Sequence, residues 1–235
     1  MDISGSVALV TGASGGIGRE FVVQLLQRGA AVYATAREPG VIGIPGARAL
    51  ELDITNPEGV AAAVAAAQDV TLVVNSAGVF TQENLVTGDL DRIRLEMETN
   101  YFGPLGIVRA FAPVLARNGG GAILNVLSAL SWSPFQGANA YAASKAAAWM
   151  LTQGVRLELL DQGTLVTGLH MGFTDTAMVA NYDVPKNDPA DVVRAALDGI
   201  QAGELEIVFD DFSAQAKTSL AVGPEIPFTE PASNR

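Results

Sequence analysis

The sequence predicts an α/β fold, a doubly wound parallel sheet of about seven strands with helices on both faces. Three observations point to it. Short apolar runs alternate along the chain with segments whose apolar residues recur at helical spacing. A glycine-rich turn joins the first such run to the first helix. Ala and Gly are abundant in a chain that is 49% hydrophobic, which suits helices packed closely on a sheet.

Ser6–Thr11 reads as a buried strand that ends at the glycines. Ile17, Phe21, Val22, Leu25 and Leu26 then follow a helical period until Gly29 stops them. Ala30–Ala36 and Arg48–Leu52 are the next strands. Pro57 suits the first turn of a helix over Pro57–Ala67, where its missing N–H has no partner to lose. Val70–Asn75 is the fourth strand. A long helix from about Asn100 to Arg117 leads to strand Ala122–Leu127, then to an Ala-rich helix beginning near Asn139. Strand Leu165–Leu169, helix Pro189–Gln201 and strand Glu206–Phe209 complete the alternation. Residues 1–222 form one domain in this reading. The stretch 223–235, with three prolines and many polar residues, reads as a loose tail.

At 235 residues the chain can bury a substantial core. No apolar stretch approaches the ~20 residues of a spanning helix. Met1-Asp2-Ile3-Ser4-Gly5 lacks the basic and apolar segments of a signal peptide. A cytoplasmic location without membrane contact is therefore expected. The absence of cysteine rules out disulfides and thiolate metal sites, and one histidine cannot build a His-rich site, so no metal is expected. The net charge of −11 argues against nucleic acid as partner. An anionic ligand would have to rely on local donors.

Thr11-Gly12-Ala13-Ser14-Gly15-Gly16-Ile17-Gly18 offers such donors. Glycine permits positive φ and close approach to a ligand, and the following helix presents unpaired N–H groups and a positive dipole end. Between a buried strand and an amphipathic helix, the turn matches a dinucleotide site, with Gly12, Ser14, Gly16, Ile17 and Gly18 around the phosphates. The second strand ends in Ala36-Arg37. NAD-preferring sites usually hold an acid there for the ribose 2′-hydroxyl. With no acid, and with a guanidinium able to clasp a 2′-phosphate, NADP(H) is expected to be favoured over NAD(H). Further on, Tyr141 and Lys145 lie four residues apart in a helix-favouring run. Their Cβ atoms would be about 5–6 Å apart on one helix face. A neighbouring ammonium is expected to lower the tyrosine pKa from about 10 and suit it to proton transfer.

From about Ser6 to Phe209 these residues resemble the short-chain dehydrogenase/reductase family, which has a Rossmann fold. The spacing of Gly12, Gly16 and Gly18 is similar to the family's cofactor turn. Leu52-Asp53-Ile54 resembles its adenine site, with Asp53 accepting from the exocyclic amine and Ile54 beside it. Asn75-Ser76-Ala77-Gly78 stands where the family usually has Asn-Asn-Ala-Gly, Asn75 being the residue that braces the sheet. Asn100, Ser128, Tyr141 and Lys145 follow in the family's order, with Ser128 thirteen residues before the tyrosine. The resemblance implies that Ser128 donates to the substrate carbonyl oxygen and that Tyr141 exchanges its proton with that oxygen. It implies that Lys145 lowers the tyrosine pKa and bonds the nicotinamide ribose, and that Asn100 holds a water linking Lys145 to solvent.

Two departures stand out. Gly15 occupies a position where many NADP-binding relatives carry a second basic residue. In His170-Met171-Gly172-Phe173-Thr174-Asp175-Thr176, Met171 replaces the usual proline, while Gly172 and Thr176 remain in register to frame the carboxamide. Losing proline is expected to loosen the backbone. His170, the only histidine, is expected to be a packed polar residue rather than a catalytic one. Phe80, Trp132, Phe135, Met178 and Tyr182 follow strands at the cofactor end and are candidates for a wall suited to an apolar carbonyl compound. The stretch between Gly172 and Pro189 looks short for a lid.

The expected activity is reversible NADP(H)-dependent reduction of a ketone or aldehyde. A 3-ketoacyl carrier-protein reductase would use the same chemistry but would want a basic patch, for which Arg92 and Arg94 are the nearest candidates. A non-enzymatic NADP-binding redox sensor is less favoured, because such sensors often lack the tyrosine or lysine kept here. The resemblance also implies a homodimer or homotetramer that pairs the helices beginning near Asn100 and Asn139, the second carrying Trp149 and Leu157.

Overall fold

The strands β1 (Val7–Val10), β2 (Ala31–Ala36), β3 (Arg48–Glu51), β4 (Leu72–Asn75), β5 (Ala122–Val126), β6 (Leu165–His170) and β7 (Glu206–Val208) form one sheet. The computed structural model describes residues 1–222; the tail expected over 223–235 lies outside the described residues. The strand order is β3-β2-β1-β4-β5-β6-β7 and every pairing is parallel.

Parallel strands are joined by crossover helices, so both faces of the central strands are covered and those strands are mostly apolar, whereas edge strand β3 is largely exposed. Successive side chains alternate between the two layers. Ala8 and Val10 pack with Phe21, Val22 and Leu25 of α1 (Gly16–Gln27) and Val192 and Leu197 of α6 (Pro189–Ala202). Leu9 and Val73 turn the other way. They meet Val60 of α2 (Pro57–Ala66), Ile107, Phe111 and Leu115 of α4 (Gly103–Arg117), and Val155 of α5 (Asn139–Glu158).

Two helices were not anticipated from the apolar pattern. In α3 (Leu90–Met97) the one buried residue is Glu96, and α7 (Asp211–Ser219) buries only Ser213 and Ala216. Neither buries an apolar stripe against the core: in α3, Leu90 is exposed and Ile93 and Met97 are only half-buried. The long helix expected from Asn100 in fact runs as α3, a π-helical turn over Glu98–Phe102, and α4. Asn100 sits inside that turn, a form often associated with functional sites.

The order reverses at β1, which β2 flanks on one side and β4 on the other. Crossovers therefore leave in opposite directions, opening a crevice beyond the carboxyl ends of the strands.

Candidate active site

The glycine turn occupies this crevice. Gly12 has φ +69°, and a Cβ there would lie 2.7 Å from Ala77 Cα. A Cβ on Gly18 would lie 2.3 Å from the Gly12 carbonyl oxygen. Close approach thus requires glycine at both positions. The Thr11 hydroxyl accepts the N–H groups of Ser76 and Ala77 at 3.0 and 3.1 Å, tying the end of β1 to the end of β4. Side chains of Asn56, Asp89, Asp188 and Asp210 cap α2, α3, α6 and α7. By contrast, α1 has no side-chain cap and no acid in its first turn. Its first N–H groups are left for an anion.

Gly12, Ser14, Gly16, Ile17 and Gly18 line a cavity of about 520 Å³ that also takes in Arg37, Asp53 and Ile54. Arg37 is exposed and makes no hydrogen bond or ion pair among the described residues. Hydrogen bonds from Thr55, helped by the charge of Arg37, hold the Asp53 carboxyl below its usual range. The uncapped helix, the glycine cradle and a free guanidinium fit an extended dinucleotide carrying phosphates. Among the described residues no group of three or more His, Cys, Asp or Glu gathers to hold a metal, and no helix is long and apolar enough to cross a membrane.

Ala77, Gly78, Ser128, Tyr141 and Lys145 line the same cavity. Ser128 follows β5 and caps a helical turn, its hydroxyl accepting the Leu130 N–H at 3.1 Å. Tyr141 and Lys145 share a face of α5, with Nζ 5.6 Å from the ring centroid. Nζ donates to the Val126 carbonyl at 2.8 Å. Burial pushes the Tyr141 phenol up, and Glu96 adds to this while a hydrogen bond with Ser128 opposes it. Burial also pushes Lys145 down, to about 8. The expectation that Lys145 lowers the phenol is therefore not met in this state. The low-dielectric surroundings disfavour both charges, and the ammonium is turned to a carbonyl.

Asn75 and Asn100 stand behind the cavity wall. Asn75 Nδ2 donates to Asn125 Oδ1 at 2.8 Å across the β4–β5 pair, and Asn125 Nδ2 donates to Thr152 Oγ1 of α5 at 2.9 Å. The brace expected of Asn75 thus involves two partners the sequence reading missed. Asn100 Nδ2 donates to the Val79 carbonyl and to Ser144 Oγ, both at 2.9 Å, and Oδ1 accepts the Val79 N–H at 2.9 Å. A Cβ on Gly78 would lie 3.1 Å from Asn100 Oδ1 and 3.9 Å from Lys145 Nζ. Glycine there keeps the space between amide and ammonium clear.

The segment that lacks proline is not loose. The Met171 carbonyl accepts the Ala129 N–H at 3.0 Å, and the Gly172 N–H donates to Asp210 Oδ2 at 2.7 Å. Burial pushes the Asp210 carboxyl up, but hydrogen bonds from Ser213, Gly172 and Asn187 outweigh it and hold it low. Asp210 had no signal in the sequence, since the helix it caps has no apolar stripe. Gly172 and Thr176 both reach the cavity, and a Cβ on Gly16 would lie 3.2 Å from Thr176 Cγ2.

Phe80, Phe135, Met178 and Tyr182 line the cavity as expected, joined by Phe173 and Phe212. Phe80 meets the Tyr141 ring edge-on at 5.1 Å, and Tyr182 lies 5.3 Å from Phe173. The stretch from Phe173 to Asn187 is tied at its base, where Asn187 N–H donates to the Phe173 carbonyl at 2.8 Å. Short as it is, it supplies one side of the cavity. Trp132 is a correction. It turns away from the cavity and stacks on His170 with centroids 3.7 Å apart and planes at 14°. His170 is fully buried, with Nδ1 3.1 Å from the Ser128 carbonyl oxygen and Nε2 3.5 Å from Glu206. Burial pushes its pKa well down, so it packs as a neutral residue behind Ser128. Arg92 and Arg94 form no patch, since Arg92 pairs with Glu83 and Arg94 with Asp91.

Residues 6–187 match the family model of the short chain dehydrogenases. An uncharacterized oxidoreductase of Staphylococcus saprophyticus is 28% identical over 218 residues, covering 86% of this chain and 93% of its own. Among solved structures, a short chain dehydrogenase from Burkholderia cenocepacia in complex with NADP is 39% identical, with a TM-score of 0.91 and 95% of each chain covered. A short chain dehydrogenase/reductase from Burkholderia phymatum in complex with NAD shares the fold at 20% identity, with a TM-score of 0.86 and all of both chains covered. With the glycine turn, the parallel sheet and the Ser128, Tyr141 and Lys145 cluster in one crevice, these similarities have a single meaning: the chain is an oxidoreductase that belongs to the short-chain dehydrogenase family.

Proposed function

We propose that this protein interconverts a ketone or aldehyde and the corresponding alcohol with NADP(H). The observation that carries the reading is one continuous cavity, which runs from Arg37 and the uncapped glycine turn to Ser128, Tyr141 and Lys145. A nicotinamide dinucleotide, when bound, supplies or accepts the hydride. The Ser128 hydroxyl orients the substrate oxygen. The Tyr141 hydroxyl gives that oxygen a proton, or takes one in the reverse direction. Burial keeps the phenol protonated, the form required for reduction. Lys145 keeps a positive charge beside it below about pH 8, and Asn100 with Gly78 leaves room for a water on the path to solvent.

The preference for NADP(H) is supported by Arg37, unpaired at the cavity edge, and by Ala36 where an acid would repel a 2′-phosphate. The similar Burkholderia cenocepacia protein, which holds NADP, supports it as well. Phe80, Phe135, Phe173, Met178 and Tyr182 carry no charge and favour an apolar carbonyl compound. A carrier-protein substrate is less favoured, because Arg92 and Arg94 are already paired. Met150 and Leu157, exposed on α5, support assembly into a homodimer or homotetramer through that helix.

The test is consumption of NADPH, beside NADH, with a panel of aryl and alkyl ketones. Turnover with NADPH is expected. Cofactor binding without turnover of any carbonyl would point to a sensor instead, and a strong preference for NADH would remove the role given to Arg37.

A further inference from the structure

Half the side chains of α3 are apolar, yet the one it buries completely is an acid, Glu96. A buried carboxylate is costly unless it is well partnered. Glu96 Oε1 accepts the Thr81 N–H at 2.6 Å, and no cation pairs with it among the described residues, since the nearby Arg92 pairs with Glu83 at 3.1 Å.

Residues four positions away on either side reach the same segment. Arg92 donates to the Thr81 carbonyl at 2.5 Å, and Asn100 brackets Val79 through both its N–H and its carbonyl. Arg92, Glu96 and Asn100 thus form a stripe that grips the backbone of residues 79–81. What this strap presents to the cavity is Phe80, edge-on to the Tyr141 ring at 5.1 Å. Its continuation holds the start of α5. The Glu83 carbonyl accepts the Ala140 N–H at 3.0 Å, and Asn84 Oδ1 accepts from Gly137 and Asn139 at 2.9 and 3.1 Å. Glutamine could also accept the Thr81 N–H, so what the acid adds is charge.

We propose that Glu96 is a positioning residue for proton transfer at Tyr141, anchoring the strap that seats Phe80 on the phenol ring and favouring the protonated phenol through its negative charge. The proposal rests on the reading of Tyr141 as the group that exchanges a proton with substrate. The charged groups facing Glu96 are Arg92 on its own helix and Glu83 on the strap, with Tyr141 approaching from α5. Burial pushes the Glu96 carboxyl up, while the Thr81 N–H pulls it down. Lys145 Nζ lies 5.6 Å from the centre of the phenol ring. The negative charge of Glu96 thus acts on the phenol and makes the phenolate needed for alcohol oxidation harder to reach.

Glu96→Gln keeps the acceptor for Thr81 and removes the charge. The experiment compares it with the parent by two readouts. One is the pH profile of alcohol oxidation; the other is ultraviolet difference titration of phenolate in the protein without cofactor, with Tyr141→Phe as background. The acid limb of oxidation should move down by about one unit, about tenfold faster oxidation at a given pH on that limb, and phenolate should begin to form at lower pH. Glu96→Leu, which also loses the anchor, should in addition raise the KM for the ketone. Superimposable pH profiles and titrations for parent and Glu96→Gln would overturn the proposal while leaving Tyr141 its role. A Tyr141→Phe variant as active as the parent would overturn both.

Discussion

Lys145 lies 5.6 Å from the centre of the Tyr141 ring, but its ammonium points to the Val126 carbonyl, 2.8 Å away. The two residues share a helix face without sharing a hydrogen bond. Burial raises the phenol and brings the ammonium down to about 8, so the lysine gives up its proton first.

That order sets a pH dependence. Because kcat/KM reports groups of the free enzyme, it should fall for ketone reduction above about pH 8, as Lys145 loses its charge. The same shift acts on stability. The folded pKa lies below the ordinary lysine value, so this contribution is present above about pH 10.5 and is lost as pH falls through about 8. Lys145→Met should therefore gain up to about 3 kcal/mol over the parent at neutral pH and little at high pH. Urea unfolding at both pH values reads the difference.

Tyr141→Phe should lower kcat by roughly 10²- to 10⁴-fold, the usual contribution of a positioned acid. The contact with Phe80 survives, so thermal stability and NADPH affinity should stay near those of the parent. Turnover assays and fluorescence titration with NADPH check the two halves separately.

Arg37→Ala should weaken NADPH binding by about 10- to 100-fold, the loss of charge-assisted hydrogen bonds to one phosphate group. NADH affinity should change by less than about threefold, because it has no 2′-phosphate to lose contact with. Equal losses for both cofactors would assign Arg37 to some other part of the ligand.

Gly12→Ala places a methyl 2.7 Å from Ala77 Cα on a backbone with φ +69°. Two backbones would have to separate, so a loss of about 2 kcal/mol or more is expected, together with loss of cofactor binding. Gly15→Ala meets no atom within 4 Å and should be nearly neutral. Thermal melts of the two variants, with and without NADPH, give the comparison.

His170 is held neutral by burial, with a pKa below the ordinary histidine range. Its contribution to stability is present above that range and is lost as pH falls through the lowered value. His170→Gln should cost stability at neutral pH through lost stacking on Trp132, yet flatten the decline of stability in acid. Denaturant midpoints measured from neutral to acidic pH would reveal the slope.

Features carried by local spacing are legible in the amino-acid order itself: the glycine turn, Ala36-Arg37, and Tyr141 four residues before Lys145. Each depends on neighbours within one or two turns of chain, and each reaches the cavity. Partnerships between distant segments are not legible in that way. Asp210 holds Gly172 from 38 residues away, and Asn75 meets Asn125 from 50. Nor does spacing give side-chain direction: Phe80 turns into the cavity and Trp132 away from it, onto His170.

The sign of the tyrosine shift belongs to this second group. Spacing puts a cation near a phenol and suggests an acidic tyrosine. Folding then buries both, and removal of water disfavours the charged form of each, with Glu96 adding to the effect on the phenol. A chain can encode which groups meet through their separation along a helix. How strongly each holds its proton depends on the solvent that packing excludes, and that is a property of the assembled core.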